Sequence, residues 1–212
     1  MRSLTRRTAL AAAAAAAALS LTLTACGSDG GGKDHSGSGH DSTKTTASAS
    51  ASAPSGKHND ADVSFAQGMI PHHRQAVEMA DLAATRASSG AVKELAAEVK
   101  KAQDPEIRTM SGWLEAWGEK VPEAMPGMDH SQHEGMPGMM SSKDMEELKK
   151  ASGAAFDTAF LTMMVEHHKG AVDMARTEKK QGAYGPAKTM ADAIIKTQNE
   201  EITQMNKLLG KG

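Results

Sequence analysis

Cysteine occurs once, at Cys26, so the chain can close no internal disulfide, and any metal site outside Cys26 must use histidine, methionine or carboxylates. Aromatic residues make up only 3% of the 212 positions, while Ala, Glu, Lys and Met abound, which disfavours a sheet and favours helices. The one long apolar run, Ala9 to Leu19 followed by Leu21 to Ala25, is too short and too alanine-rich for a membrane span. There is no basic excess either. Without Arg2, Arg6 and Arg7, about 21 basic side chains face 26 acidic ones, so nucleic acid is not an expected partner.

What is present begins with an address. Basic Arg2, Arg6 and Arg7, the apolar run, and then Leu23-Thr24-Ala25-Cys26 follow the order of a lipoprotein signal, with residues 1–25 removed and Cys26 lipidated. This predicts an exported chain anchored by lipid to the outer face of the cytoplasmic membrane, in the cell envelope. The Arg6-Arg7 pair leaves open whether export uses the general or the twin-arginine route. Residues 26–60 are rich in Gly, Ser, Ala, Thr and Lys and cannot bury enough apolar surface to fold, so they read as a tether in which His35, His40 and His58 are spacers.

The ordered part, 61–212, contains an internal repeat. Asp62 to Leu114 aligns without a gap on Asp157 to Leu209, with about 18 of 53 positions identical. Repeat one covers 62–118, a Met/His-rich connector 119–142, and repeat two 143–209. Phe65, Met69, His72, His73, Ala76, Met79 and Ala80 fall on one arc at helical spacing, and the second repeat carries the same stripe. The pattern predicts helices over 62–87, 91–117, about 141–180 and 186–209, with Asp62 as an N-cap and Ser141 with Asp144 as another cap. Two repeated helical hairpins thus make an all-α four-helix bundle. Pro71 and Pro105 lie inside helices and have no counterpart in repeat two. Trp113 and Trp117 are expected to pack at the bundle end.

The chemistry concentrates in Met69-Ile70-Pro71-His72-His73 and Met164-Val165-Glu166-His167-His168. One turn separates each methionine from its histidine pair, and Met79 and Met174 continue the same faces, with Met110 and Met205 on the partner helices. Four histidines on core-facing stripes need partners for their ring nitrogens, and a shared metal would satisfy them together. Thioethers with imidazoles select copper, Cu(I) or Cu(II), before zinc. Neither histidine pair forms the Glu-x-x-His motif of a di-iron bundle. Glu106 and Glu201 are placed to support the histidines from the neighbouring helix, whereas Glu78 and Asp173 point away. The connector adds Met125, Met128, His130, His133, Met136, Met139 and Met140 among loop-forming residues, and reads as a flexible copper-capturing loop.

Phe65-x3-Met69-Ile-x-His72-His73-x2-Ala76-x5-Leu82, echoed around His167-His168, with Gln103-x2-Glu106-Ile107-x2-Met110-x2-Trp113 downstream, resembles the domain of unknown function family DUF305. The resemblance spans about Asp62 to Leu209. It implies a ferritin-like four-helix bundle and a periplasmic or surface role in copper binding and resistance. It points to Met69, His72, His73, Met164, His167 and His168, with Met110 and Met205 in support.

Three functional classes compete at this point: a copper sequestering or transfer protein, with a copper-handling protein of the envelope as partner; an enzyme using a redox metal, for which no substrate is identified; and a metal-independent envelope interaction module. The connector, about 25 residues long, is compatible with either relative direction of the first and third helices, and that direction decides whether the histidine pairs meet.

Overall fold

The computed structural model describes residues 56–123 and 136–211. The signal, Cys26 and most of the tether lie outside the described residues, as do Met125, Met128, His130 and His133. The helices are α1 (Asp60–Arg86), α2 (Gly90–Trp117), α3 (Ser142–Lys150), α4 (Gly153–Gln181) and α5 (Gly185–Leu208). Among the described residues there is no strand, and α1 and α2 run unbroken through Pro71 and Pro105. The expected third helix is divided. Ala151 is extended and Gly153 adopts a left-handed φ of 63°, which breaks the helical path and leaves α3 as a separate nine-residue helix. Ser141 and Asp144 form the expected capping box at the start of α3.

The cap of α1 is Asn59 rather than Asp62. The Asn59 side chain accepts from the Ala61 and Asp62 amides, and Asp62 accepts from the Asn59 amide at 2.7 Å. Asp62 also reaches across the bundle to accept from the amides of Ala183 and Tyr184, 3.1 and 2.9 Å away, where α4 gives way to α5. Its repeat counterpart Asp157 accepts from the amides of Ser88 and Ser89, where α1 gives way to α2. The first aligned residue of each repeat therefore caps the turn of the other repeat, satisfying amides that a helix start leaves without partners. This reciprocal arrangement fixes the direction: α1 and α4 are antiparallel, and their midpoints cross.

Two apolar cores flank that crossing. One gathers Met79, Ala83, Val92, Leu95, Val99, Phe156, Phe160, Met164 and Met205 with Met145 and Leu148 of α3; the other gathers Phe65, Met69, Ile70, Met110, Trp113, Leu114, Tyr184 and Ile194. Each large apolar side chain so buried contributes roughly 1.5 to 3 kcal/mol, and this holds the long helices in register. Trp113 and Trp117 pack edge-on against Tyr184 at the bundle end, and His58, expected as a spacer, stacks on Trp117 at 4.4 Å.

The connector's final turn crosses the α1–α4 seam on one side. Gln75 of α1 grips both the amide and the carbonyl of Met140, at 2.7 and 2.9 Å. On α4, a Cβ at Gly170 would fall 2.0 Å from the Pro137 carbonyl oxygen, and one at Gly138 would fall 2.7 Å from that of Glu166. Only glycine allows backbones to approach so closely. Gln75 and Gly170 are repeat-matched positions, so the connector breaks the symmetry by gripping one repeat and lying flat on the other.

Glu178 is a second buried acid near Asp62, with only 1% of its surface exposed and no donor reaching either carboxyl oxygen. Burial and the Asp62 carboxyl beside it push its pKa up to about 8. With its proton on, Glu178 can donate to Asp62, whose own pKa is held low by backbone amides against the effect of burial.

Candidate functional site

The crossing of α1 and α4 creates a polar layer between the two apolar cores. His72 and His167 meet there, ring centroids 3.7 Å apart and planes inclined by 41°. His73 and His168 point sideways to the outer helices, where the Nε2–H of each donates to a carboxylate: Glu106 of α2 and Glu201 of α5, both at 2.7 Å. Gln103 and Gln198, another repeat-matched pair, are buried alongside, and all four histidines are at most 1% exposed. Helical spacing put the four histidines on core-facing stripes and left open whether the two pairs meet; the crossing of α1 and α4 decides it, and it brings Glu106 and Glu201, which lie off those stripes, onto His73 and His168.

Each histidine has one ring nitrogen left over. The His72 Nε2–H donates to the Pro137 carbonyl at 3.1 Å, while the Nδ1 atoms of His72, His73 and His168 and the Nε2 of His167 are buried without partners. Both amide atoms of Gln103 and the oxygen of Gln198 are also unpartnered. An orphaned buried polar atom costs about 1 to 3 kcal/mol, so this concentration of them asks for a ligand. Burial, reinforced by His73, lowers the pKa of His72 to about 3; burial, reinforced by His72, lowers that of His167 well below the ordinary value. Both rings are therefore neutral at physiological pH, with lone pairs available for coordination.

The methionines divide around this layer. Met69 and Met110 are fully buried in one core, and Met79, Met164 and Met205 in the other. Met174 is partly buried against the first core and Met140 against the second, while Met136 and Met139 are partly buried in the connector. Among the described residues no three His, Cys, Asp or Glu side chains stand close enough to hold an ion by themselves. Glu78 pairs with Lys149 of α3 and Asp173 with Arg176, so both turn away from the layer as their helical angle dictates.

Sequence reasoning missed three contributors: the Pro137 carbonyl on His72, Gln75 as the anchor of the connector, and Asp62 with Asp157 as cross-repeat caps. The aspartates head the internal alignment and so carried a signal; the other two contacts bring together residues 65 positions apart and leave no trace in periodicity. Between α2 and α5 lies an open cleft of about 710 Å³, lined by Glu106, Trp113, Pro186, Thr189 and Met190 among others. Glu106 thus links His73 to the surface.

Comparison with known proteins places this geometry among relatives. Among curated proteins none matches the chain. A DUF305 protein from Streptomyces coelicolor is 32% identical, with a TM-score of 0.63, over 71% of this chain and 93% of its own. A DUF305 fragment from Deinococcus radiodurans is 29% identical, with a TM-score of 0.64, over 73% and 98% respectively. CopM in its Cu(II)-bound form is 34% identical, with a TM-score of 0.60, over 69% and 94%; CopM has also been solved with Cu(I) and with silver. The family described as domain of unknown function DUF305 matches residues 62–209, the whole of both repeats, and the chain belongs to that family.

Proposed function

We propose that this protein binds copper outside the cytoplasm, sequesters it in the histidine layer and passes it on by ligand exchange, without a covalent reaction. One observation carries the reading: four unpartnered ring nitrogens in a buried layer, three of whose rings are oriented through the other nitrogen by Glu106, Glu201 and the Pro137 carbonyl. Carboxylate or carbonyl acceptors behind a histidine are the usual support of a metal ligand, since they fix the tautomer and raise the basicity of the coordinating nitrogen. His72, His73, His167 and His168 are the proposed imidazole ligands. Met69, Met110, Met164 and Met205, which border the layer in sequence, are the proposed thioethers, while Met79 and Met174 lie farther out along α1 and α4. Neutral imidazoles and thioethers suit copper in either oxidation state better than zinc, and CopM, a relative, is solved with Cu(I), Cu(II) and silver.

In this reading the connector residues Met125, Met128, His130, His133, Met136, Met139 and Met140 capture the ion first. Cys26 carries the lipid that holds the protein at the outer face of the cytoplasmic membrane, within reach of another copper-handling protein of the envelope; the Streptomyces relative is described as a secreted protein. Anchoring is tested by incorporation of labelled palmitate in cells, which should vanish in Cys26→Ser.

The central test is a competition titration of the full chain with Cu(I), Cu(II) and zinc, beside variants lacking the four histidines or residues 125–140. Copper-selective binding that weakens in the histidine variant supports the layer, and loss only on deleting the connector moves the function there. Binding no tighter than that of an unstructured His/Met peptide would overturn the reading.

A further inference from the structure

Gly68 lies inside α1, one turn before His72, where glycine is a poor helix former relative to alanine. The matched position of repeat two holds Met163. A Cβ built on Gly68 would sit 3.8 Å from the sulfur of Met136 and 3.8 Å from the sulfur of Met174. Two thioethers from separate segments, the connector and α4, thus converge on one point over bare helix backbone.

The two halves of the bundle differ here. In the Met164 core, Met79, the counterpart of Met174, is fully buried, and Met163 packs against that core from its own helix. In the Met69 half the helix offers no side chain at this position, and the connector brings in Met136 instead. Met136 and Met174 remain partly exposed, so they do not act only as gap-fillers of a sealed core. The hydrogen bond from the His72 Nε2–H to the carbonyl of Pro137, the residue after Met136, together with the seating of Gly138 on α4, holds the connector in place.

We propose that Met136 and Met174 form a separate thioether site for a soft monovalent cation, Cu(I) or Ag(I), one helical turn outside the histidine layer. The inference rests on the copper-binding reading and adds to it an outer site of different chemistry. Thioether sulfur is a neutral, soft donor, so the pair discriminates against zinc and Cu(II), which the imidazoles accept. An ion held by two weak neutral donors beside the deeper imidazoles is positioned to move inward by ligand exchange.

The test follows methionine methyl resonances of the full chain, labelled with ¹³C at the methionine methyl, as Ag(I) is added, with zinc as control. The Met136 and Met174 signals should shift together with Ag(I) and stay put with zinc. Met136→Leu, which keeps volume but removes sulfur, should abolish the Met174 shift and lower the silver stoichiometry by one, with helicity unchanged. A Met174 shift that survives Met136→Leu overturns the proposal, as does a response of Met69 and Met164 in which Met136 and Met174 take no part; the histidine site would then stand alone. If silver binds nowhere and Cu(I) and Cu(II) also fail to bind, both the outer site and the copper reading fall.

Discussion

His72 and His167, each the first histidine of its repeat, lie ring against ring at 3.7 Å where two antiparallel helices cross. Both are neutral and buried, and each keeps a ring nitrogen without a partner. The cost of that arrangement falls on the metal-free protein. His167→Leu should therefore unfold at an equal or higher urea concentration than the parent when no metal is present, because roughly 1 to 3 kcal/mol of unsatisfied polar burial is removed. With Cu(I) added, the order should reverse, since only the parent gains the stabilisation of ligand binding.

Glu106 and Glu201 hold His73 and His168 through identical 2.7 Å bonds. Glu106→Gln and Glu201→Gln should each weaken copper affinity by about 10- to 100-fold while leaving the helical circular dichroism intact. Competition titration of the two variants reads this directly. Affinities indistinguishable from the parent would remove the carboxylates from the site.

Asp62 and Asp157 cap each other's repeats, but in different surroundings: Asp62 is fully buried, whereas Asp157 is partly exposed. Loss of a cap costs about 1 to 2 kcal/mol. Asp62→Ala should fall at or above the top of that range, because it strands amides of Asn59, Ala183 and Tyr184. Asp157→Ala should cost less, since water can reach the Ser88 amide. Urea denaturation of the pair measures the difference.

Glu178 gives stability a pH dependence of known sign. Its carboxyl pKa rises from the ordinary 4.5 to about 8 on folding, so the folded state binds more protons than the unfolded state across that window. The Glu178 contribution to stability should fall as pH rises from about 4.5 to about 8, against an opposite contribution from His72 and His167, whose pKa values are lowered on folding and which favour the folded state as pH rises toward the ordinary 6.5; Glu178→Gln should therefore remove the net fall between about pH 6.5 and about 8. Asp62 acts in the opposite sense: its lowered pKa contributes stability above the ordinary 3.8 that is lost as the solution becomes more acidic than that. Denaturation midpoints taken across pH in the parent and Glu178→Gln check both.

Gly170→Ala would put a carbon 2.0 Å from the Pro137 carbonyl oxygen, and neither backbone can yield cheaply. The connector should lift off α4 and release His72 from its carbonyl partner. Limited proteolysis within 119–142 should then accelerate, with α1, α2, α4 and α5 still folded by circular dichroism.

The sequence by itself determined the all-helical class, the duplication and the histidines of the polar layer, because these follow from local spacing. Met69, His72, His73 and Met79 share a face at helical periodicity whatever surrounds them, and Glu106 and Glu201 come at matching positions on the next helices. Only the tertiary structure decided that α1 and α4 run antiparallel, and hence that His72 meets His167. Periodicity carries no information about the direction in which a long connector returns the chain; the reciprocal caps from Asp62 and Asp157 supply it. The break before α4 rests on the extended Ala151 and Ser152 and the left-handed Gly153, which no stripe records. The asymmetry of the site is also tertiary: at the matched positions Gln75 and Gly170, one side chain grips the connector and the absence of another lets it lie flat, so that Pro137 reaches His72 alone.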